Sequence, residues 1–182
     1  MRWRRLDIPG TDTCELRPLA DGWCVEGVAE YGAGPDLARL RYMVEADRYW
    51  VTRRARVRGT AGPATIALDV ERLSDGTWRI NGEQAPELAG LVDVDLGFTP
   101  ATNLFPLRRL ALKPGEAADA EAAWLDDTVW TFARLPQRYE RRDALSYWYQ
   151  SPTSGYEGTL VVNAEGFVQV YPELWAAIDD SA

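Results

Sequence analysis

The feature that most restricts the fold is an alternation of apolar and polar residues in short runs, each closed by a turn. Trp23, Val25, Gly27, Ala29 and Tyr31 share one phase, with Glu26 and Glu30 in the other. After a turn from Gly32 to Pro35, Ala38, Leu40, Tyr42, Val44 and Ala46 alternate with Arg39, Arg41, Glu45 and Asp47. A strand sends successive side chains to opposite faces, so each run buries one face and wets the other, and the two pair as an antiparallel unit. A helix needs apolar residues at three- and four-residue intervals, and that spacing is scarce here.

The pattern continues with one irregular run. From Trp50 to Arg58 one phase holds Val51, Arg53, Ala55 and Val57, which sets Arg53 among apolar neighbours. It either snorkels to the rim or pairs with Asp93 or Asp95. The opposite phase is a row of cations that can pair across strands with Asp69 and Glu71. Ile66, Leu68 and Val70 form the next inward face, and Ser74-Asp75-Gly76 and Asn81-Gly82 read as turns. Thr128 to Pro136 is apolar in both phases until Arg134, as in a strand covered twice or lining a cavity. Thr159–Val162 and Phe167–Val170 suggest a last hairpin, and Glu173–Ile178 a short helix after Pro172. Roughly a dozen short strands predict an all-β fold. The expected form is a curved antiparallel sheet making a roll or barrel-like structure, with few short helices and one domain over residues 1–182. Such a sheet can enclose an apolar cavity.

Composition narrows the function. The net charge of −8 disfavours a nucleic-acid partner, because a polyanion is repelled on average. No apolar run reaches membrane length, and Met1–Asp7 lacks the apolar centre of a signal peptide, so a cytoplasmic location without a membrane span is expected. Cys14 and Cys24 are then expected to be reduced, and no Cys-x-x-Cys spacing exists. Histidine is absent altogether, which removes the commonest metal ligand and every histidine-activated nucleophile. No metal and no cofactor is expected.

Against this background the segment Asp93–Leu110, D-V-D-L-G-F-T-P-A-T-N-L-F-P-L-R-R-L, stands apart. If Asp93–Asp95 is extended, both carboxylates leave from one face. Pro100 and Pro106 interrupt regular structure, and Leu107–Leu112 reads as a return to a strand.

Asp93, Asp95, Thr99, Pro100, Thr102, Asn103, Pro106, Arg108, Arg109 and Leu110 match the pattern D-[IV]-D-[IL]-x-x-T-P-x-T-N-T-L-P-I-R-R-L of the putative glycolipid-binding protein family of bacteria, which the chain therefore resembles. Leu104 and Phe105 depart from it. Further similarity lies at Tyr49–Arg53, Gly76-Thr77-Trp78, Asn81-Gly82, Gln137-x-Tyr139 and Gly166 to Trp175. The resemblance implies a β-rich roll similar to the periplasmic carriers of lipoproteins and a small amphipathic, glycolipid-like ligand. The implied binding set is Trp50, Arg53, Asp93, Asp95, Thr99, Thr102, Asn103, Arg108, Arg109, Gln137, Tyr139 and Tyr171.

Three functions fit these residues. In the first, a non-enzymatic protein holds the ligand in an apolar cavity with a mouth of Thr, Asn and Arg side chains, aromatic rings stacking on a sugar and Arg108 or Arg109 meeting a phosphate or carboxylate. In the second, the segment is a scaffold: Asp93 and Asp95 pin arginines, side chains fix the Thr99–Asn103 turn, and the protein is an interaction module. In the third, Asp93 and Asp95 act as the acid and base of a hydrolase acting on a glycoconjugate. Arginines nearby would depress both carboxyls, which suits ion pairs better than acid catalysis.

Overall fold

The computed structural model describes residues 1–178. Strands β1 (Arg2–Arg5), β2 (Gly10–Leu19), β3 (Gly22–Tyr31), β4 (Ala38–Ala46), β5 (Thr52–Ala61) and β6 (Ala64–Arg72) run as an antiparallel meander, continued by β7 (Trp78–Ile80) and β8 (Glu83–Gln84). Strand β9 (Asp93–Leu96) follows, then helix α1 (Leu104–Leu110), β10 (Ala117–Asp119), β11 (Ala122–Asp126) and β12 (Thr131–Leu135). A second meander is made by β13 (Arg138–Arg141), β14 (Ser146–Ser151), β15 (Tyr156–Val162), β16 (Val168–Tyr171) and β17 (Trp175–Ala177).

The two meanders join where β17 pairs with β1, giving one curved sheet of fourteen strands that stays open at β10 and β8. The fold is therefore an all-β roll and not a closed barrel. A small sheet, β12-β11-β9, packs with it. Its β9–β11 pair is parallel, a departure from the all-antiparallel expectation. Parallel neighbours need a crossover, and here it carries helix α1.

The alternation is realised on β3 and β4. Val25, Ala29 and Tyr31 are buried, as are all five inward residues of β4, while Glu26 and Glu30 face water. The expected cross-strand pairs are present too, with Arg54–Glu71 at 2.9 Å and Arg56–Asp69 at 2.8 Å. Cys14 and Cys24 are buried free thiols.

Gly27 has a specific reason. The Tyr42 ring lies across it, and a Cβ at position 27 would stand 2.3 Å from the ring's Cζ. Gly27→Ala is expected to displace Tyr42 and cost about 2 kcal/mol, the scale of overpacking a filled core, read as a lower urea midpoint.

Four sequence expectations are corrected. Arg53 does not share a face with Ala55 and Val57, because Glu45 pairs with Arg54 and Ala46 with Thr52, leaving Arg53 as the extra residue of a bulge. It turns outward to Asp21 at 2.8 Å, and Thr52 takes the buried place. Leu107–Leu110 belongs to helix α1 and not to a strand. Thr99 caps the preceding turn by accepting from the Ala101 N–H at 3.0 Å, and Pro106 sits in the first turn, where a missing N–H costs nothing. Thr128–Pro136 is not covered on both faces: Thr131, Ala133 and Arg134 of edge strand β12 are exposed. Finally, Trp175–Ala177 is a strand and not a helix, since Glu173 turns at φ 66 and the chain folds back between β16 and β1.

Two apolar clusters fill the inside of the sheet. The larger joins β2–β6 to Phe98, Ala101, Leu104 and Phe105, all fully buried; the smaller sets Leu107 against Tyr139, Tyr149 and Leu160. The Asp93–Leu110 segment is thus the plug between sheet halves.

Candidate functional site

Where the plug meets the second meander it leaves a cleft of about 290 Å³. The crossover supplies Asp95, Gly97, Thr99 and Asn103, and the small sheet supplies Trp124 and Leu135. The opposite wall is Tyr149, Ser151, Tyr156, Tyr171 and Trp175. Alternation along β14 explains the wall, since Tyr147, Tyr149 and Ser151 share the buried phase. The three tyrosines pack on one another, with centroids 5.8 Å apart for Tyr149–Tyr171 and 5.1 Å for Tyr156–Tyr171.

Asp95 is the charged group of this cleft. Its Oδ2 accepts from Gln137 Nε2 at 2.6 Å, while Oδ1 has only a long contact of 3.5 Å from the Thr102 hydroxyl. Behind it runs a chain of donors: Asn103 Nδ2 to the Tyr139 hydroxyl at 3.0 Å, and that hydroxyl to Gln137 Oε1 at 3.4 Å. Each bond points toward the carboxylate, so the network polarises in one direction. Burial pushes the Asp95 carboxyl up to about 6, against the pull of Gln137 and Thr102, with Asp93 and Asp127 adding to the rise. Burial also raises Tyr139, Tyr149 and Tyr171, which stay protonated donors. The Ser151 hydroxyl lies close enough to Tyr149 to favour its phenolate, yet completes no hydrogen bond and is buried.

The structure brings Asp95, Thr99, Asn103 and Tyr171 to the cleft, with Thr102, Gln137 and Tyr139 directly behind them. The other candidates are elsewhere. Asp93 is buried and takes both arms of Arg109, Nε to Oδ1 at 3.0 Å and NH2 to Oδ2 at 2.5 Å. Arg108 lies outside, donating to the Glu165 carbonyl and standing 5.5 Å over Trp50. Trp50, held at φ 67 between the Tyr49 and Val51 N–H groups, which both donate to the Asp47 carboxylate, stacks on Trp23 at 5.0 Å. Arg53 is on the surface with Asp21. For Arg108 and Arg109 the cause is the helix, whose last turn carries them away from the face that a strand would have presented. The expected depression of both carboxyls is also corrected: burial outweighs Arg109 at Asp93, and both are raised.

Sequence reasoning missed Ser151, Tyr149, Tyr156, Trp124 and Trp175. It also missed Asp12, which is fully buried behind the cleft and accepts from Tyr42 at 2.9 and 3.0 Å and from the Thr99 hydroxyl. Its carboxyl is raised to about 6 by burial. The signal was available, for Asp12 and Cys14 share the inward phase of β2. Among the described residues no group of three or more His, Cys, Asp or Glu side chains could hold a metal ion, and no helix is long and apolar enough to cross a membrane. A wider depression of about 480 Å³ lies over Gly27 on the outer face, but its rim mixes Glu15 and Glu26 with Arg41, Arg56 and Arg58, and it touches no part of the Asp93–Leu110 segment.

Comparison with known proteins adds two findings. A family model described as "Putative glycolipid-binding" matches residues 1–177. The crystal structure of a DUF1089 family protein from Pseudomonas aeruginosa is similar, with a TM-score of 0.80 and 27% identity over 92% of each chain. No curated protein matches the chain.

Proposed function

The chain belongs to the family described as putative glycolipid-binding, and from that membership we propose that it binds an amphipathic ligand of glycolipid type, its headgroup seated in the cleft around Asp95. The observation that carries this reading is the coincidence of the family's second signature aspartate with aromatic walls in one cleft. Sugars present hydroxyls at their edges and C–H faces that pack on rings, and the cleft offers a partner for each. The alkyl portion takes Leu135, Leu174 and Trp175 of the cleft lining as its apolar neighbours, because Phe98, Leu104 and Phe105 fill the space under the sheet.

The family supports a binding role over catalysis. A two-carboxylate hydrolase needs a second acid facing the same substrate, and Asp93 is instead committed to Arg109. The scaffold reading describes Asp93, Thr102 and Arg109 well, but it does not account for Ser151, whose hydroxyl is left without a bond.

Native mass spectrometry of the purified protein, followed by organic extraction, tests the proposal. A stoichiometric co-purified amphiphile is the expected result. A clean apo mass with no thermal shift across a panel of glycolipids and phospholipids would overturn it in favour of an interaction module.

A further inference from the structure

We propose that the cleft selects a neutral, hydroxyl-rich glycosyl headgroup and rejects phosphorylated ones, with Asp95 and Ser151 as the two groups that receive its hydroxyls. This rests on the binding reading above and adds the chemical class of the ligand.

The first argument is charge. Asp95 is the one charged side chain lining the cleft among the described residues. Asp93 on its own strand and Asp127 from the turn after β11 add negative potential, and the elements facing it contribute only neutral groups: Thr102, Gln137, Tyr139, Tyr149 and Tyr171. The nearby cations are engaged. Arg109 holds Asp93, and Arg5, stacked on the Trp175 ring at 5.4 Å, is bonded through two nitrogens to Asp7, its third nitrogen lying buried and unpartnered outside the cleft lining. A phosphate entering here would leave a carboxylate and an anion side by side with no cation between them, which costs affinity sharply.

The second argument is unfilled hydrogen-bonding capacity. Asp95 Oδ1 is a nearly free acceptor, and Ser151 Oγ is a buried hydroxyl with no partner. Buried polar atoms normally have partners, so an unpartnered one in a cleft wall has a hydrogen bond left to make. A carboxylate and a hydroxyl suit alcohol groups, which both donate and accept. A quaternary ammonium fits less well. It needs rings spread around a central space, and here the tyrosines pack against each other.

Octyl β-D-glucoside, octyl phosphate and octyltrimethylammonium, each below its micellar concentration, differ only in the head and serve as probes by titration calorimetry on the full chain. Glucoside is expected to bind at least tenfold more tightly than either charged probe. Asp95→Asn should weaken glucoside binding about tenfold and Ser151→Ala several-fold. Ser151→Ala removes an oxygen that completes no hydrogen bond in the protein, so it should fold normally even if Asp95→Asn does not. Because the sugar donates to the ionised carboxylate, affinity should fall as pH drops through about 6. Equal or tighter binding of phosphate or ammonium would overturn the selectivity while leaving the binding function standing. Unchanged glucoside affinity in Ser151→Ala would remove Ser151 from the site. If none of the three probes binds, the headgroup-binding function itself fails.

Discussion

Arg109→Ala will lower the stability of the fold by about 3–5 kcal/mol at neutral pH, seen as a large drop in the urea midpoint. Asp93 is 1% exposed and both of its oxygens are bonded by the Arg109 guanidinium, so removing the arginine strands a buried carboxylate. The reverse substitution is milder, because the Arg109 side chain is 21% exposed and can be solvated when Asp93→Asn removes its partner. Acid should narrow the deficit of Arg109→Ala. Burial already pushes Asp93 up, and without the guanidinium the carboxyl takes a proton sooner and ceases to be a buried charge. A loss below about 1 kcal/mol would mean that the pair is an ordinary surface bridge.

Mild acid will stabilise the protein. The Asp12 carboxyl titrates at about 6 in the fold against an ordinary value of 3.8, so between these values the folded chain binds more protons than the open one. Stability therefore rises as pH falls from 7 toward 4, by about 3 kcal/mol from Asp12. Asp95 acts in the same direction. Carboxyls held low by arginines, Asp69 and Glu121 among them, work oppositely and lose their contribution as pH falls further, which places the optimum in mildly acidic solution. Asp12→Asn should flatten the rise, since its amide does not ionise. Urea midpoints at pH 7.5, 6.5, 5.5 and 4.5 settle the matter, and a wild-type curve that falls monotonically with acid would refute the assignment.

The strands of both meanders were legible because one face is buried and the other wet, which writes period two into the chain; β4 follows it residue by residue, and β3 does from Val25 onward. Reading failed where a local geometry changed the phase. A single extra residue at Arg53 moved Thr52 inward and Arg53 out, and nothing in the composition of that run records a bulge. Helix α1 escaped because it is only seven residues long, too short for the three-residue spacing of Leu104, Leu107 and Leu110 to stand out as a stripe, and the capped turn at Thr99 that precedes it is anchored from elsewhere in the chain by Asp12. The site was legible in part. Signature residues marked the region, but the cleft's second wall comes from β14–β17, brought there by strand pairing alone.

The seam between β1 and β17 joins residues from opposite ends of the described chain, and the Trp3 indole crosses it to the Val168 carbonyl at 2.5 Å. Each meander can form from neighbouring residues, whereas their union waits for the most distant contact, so assembly is bounded by one slow closure after fast local steps. In that interval β1 carries an unprotected hydrogen-bonding edge that another copy's β17 could occupy equally well. Exchange of that strand between molecules at high concentration is the characteristic misassembly that this topology invites.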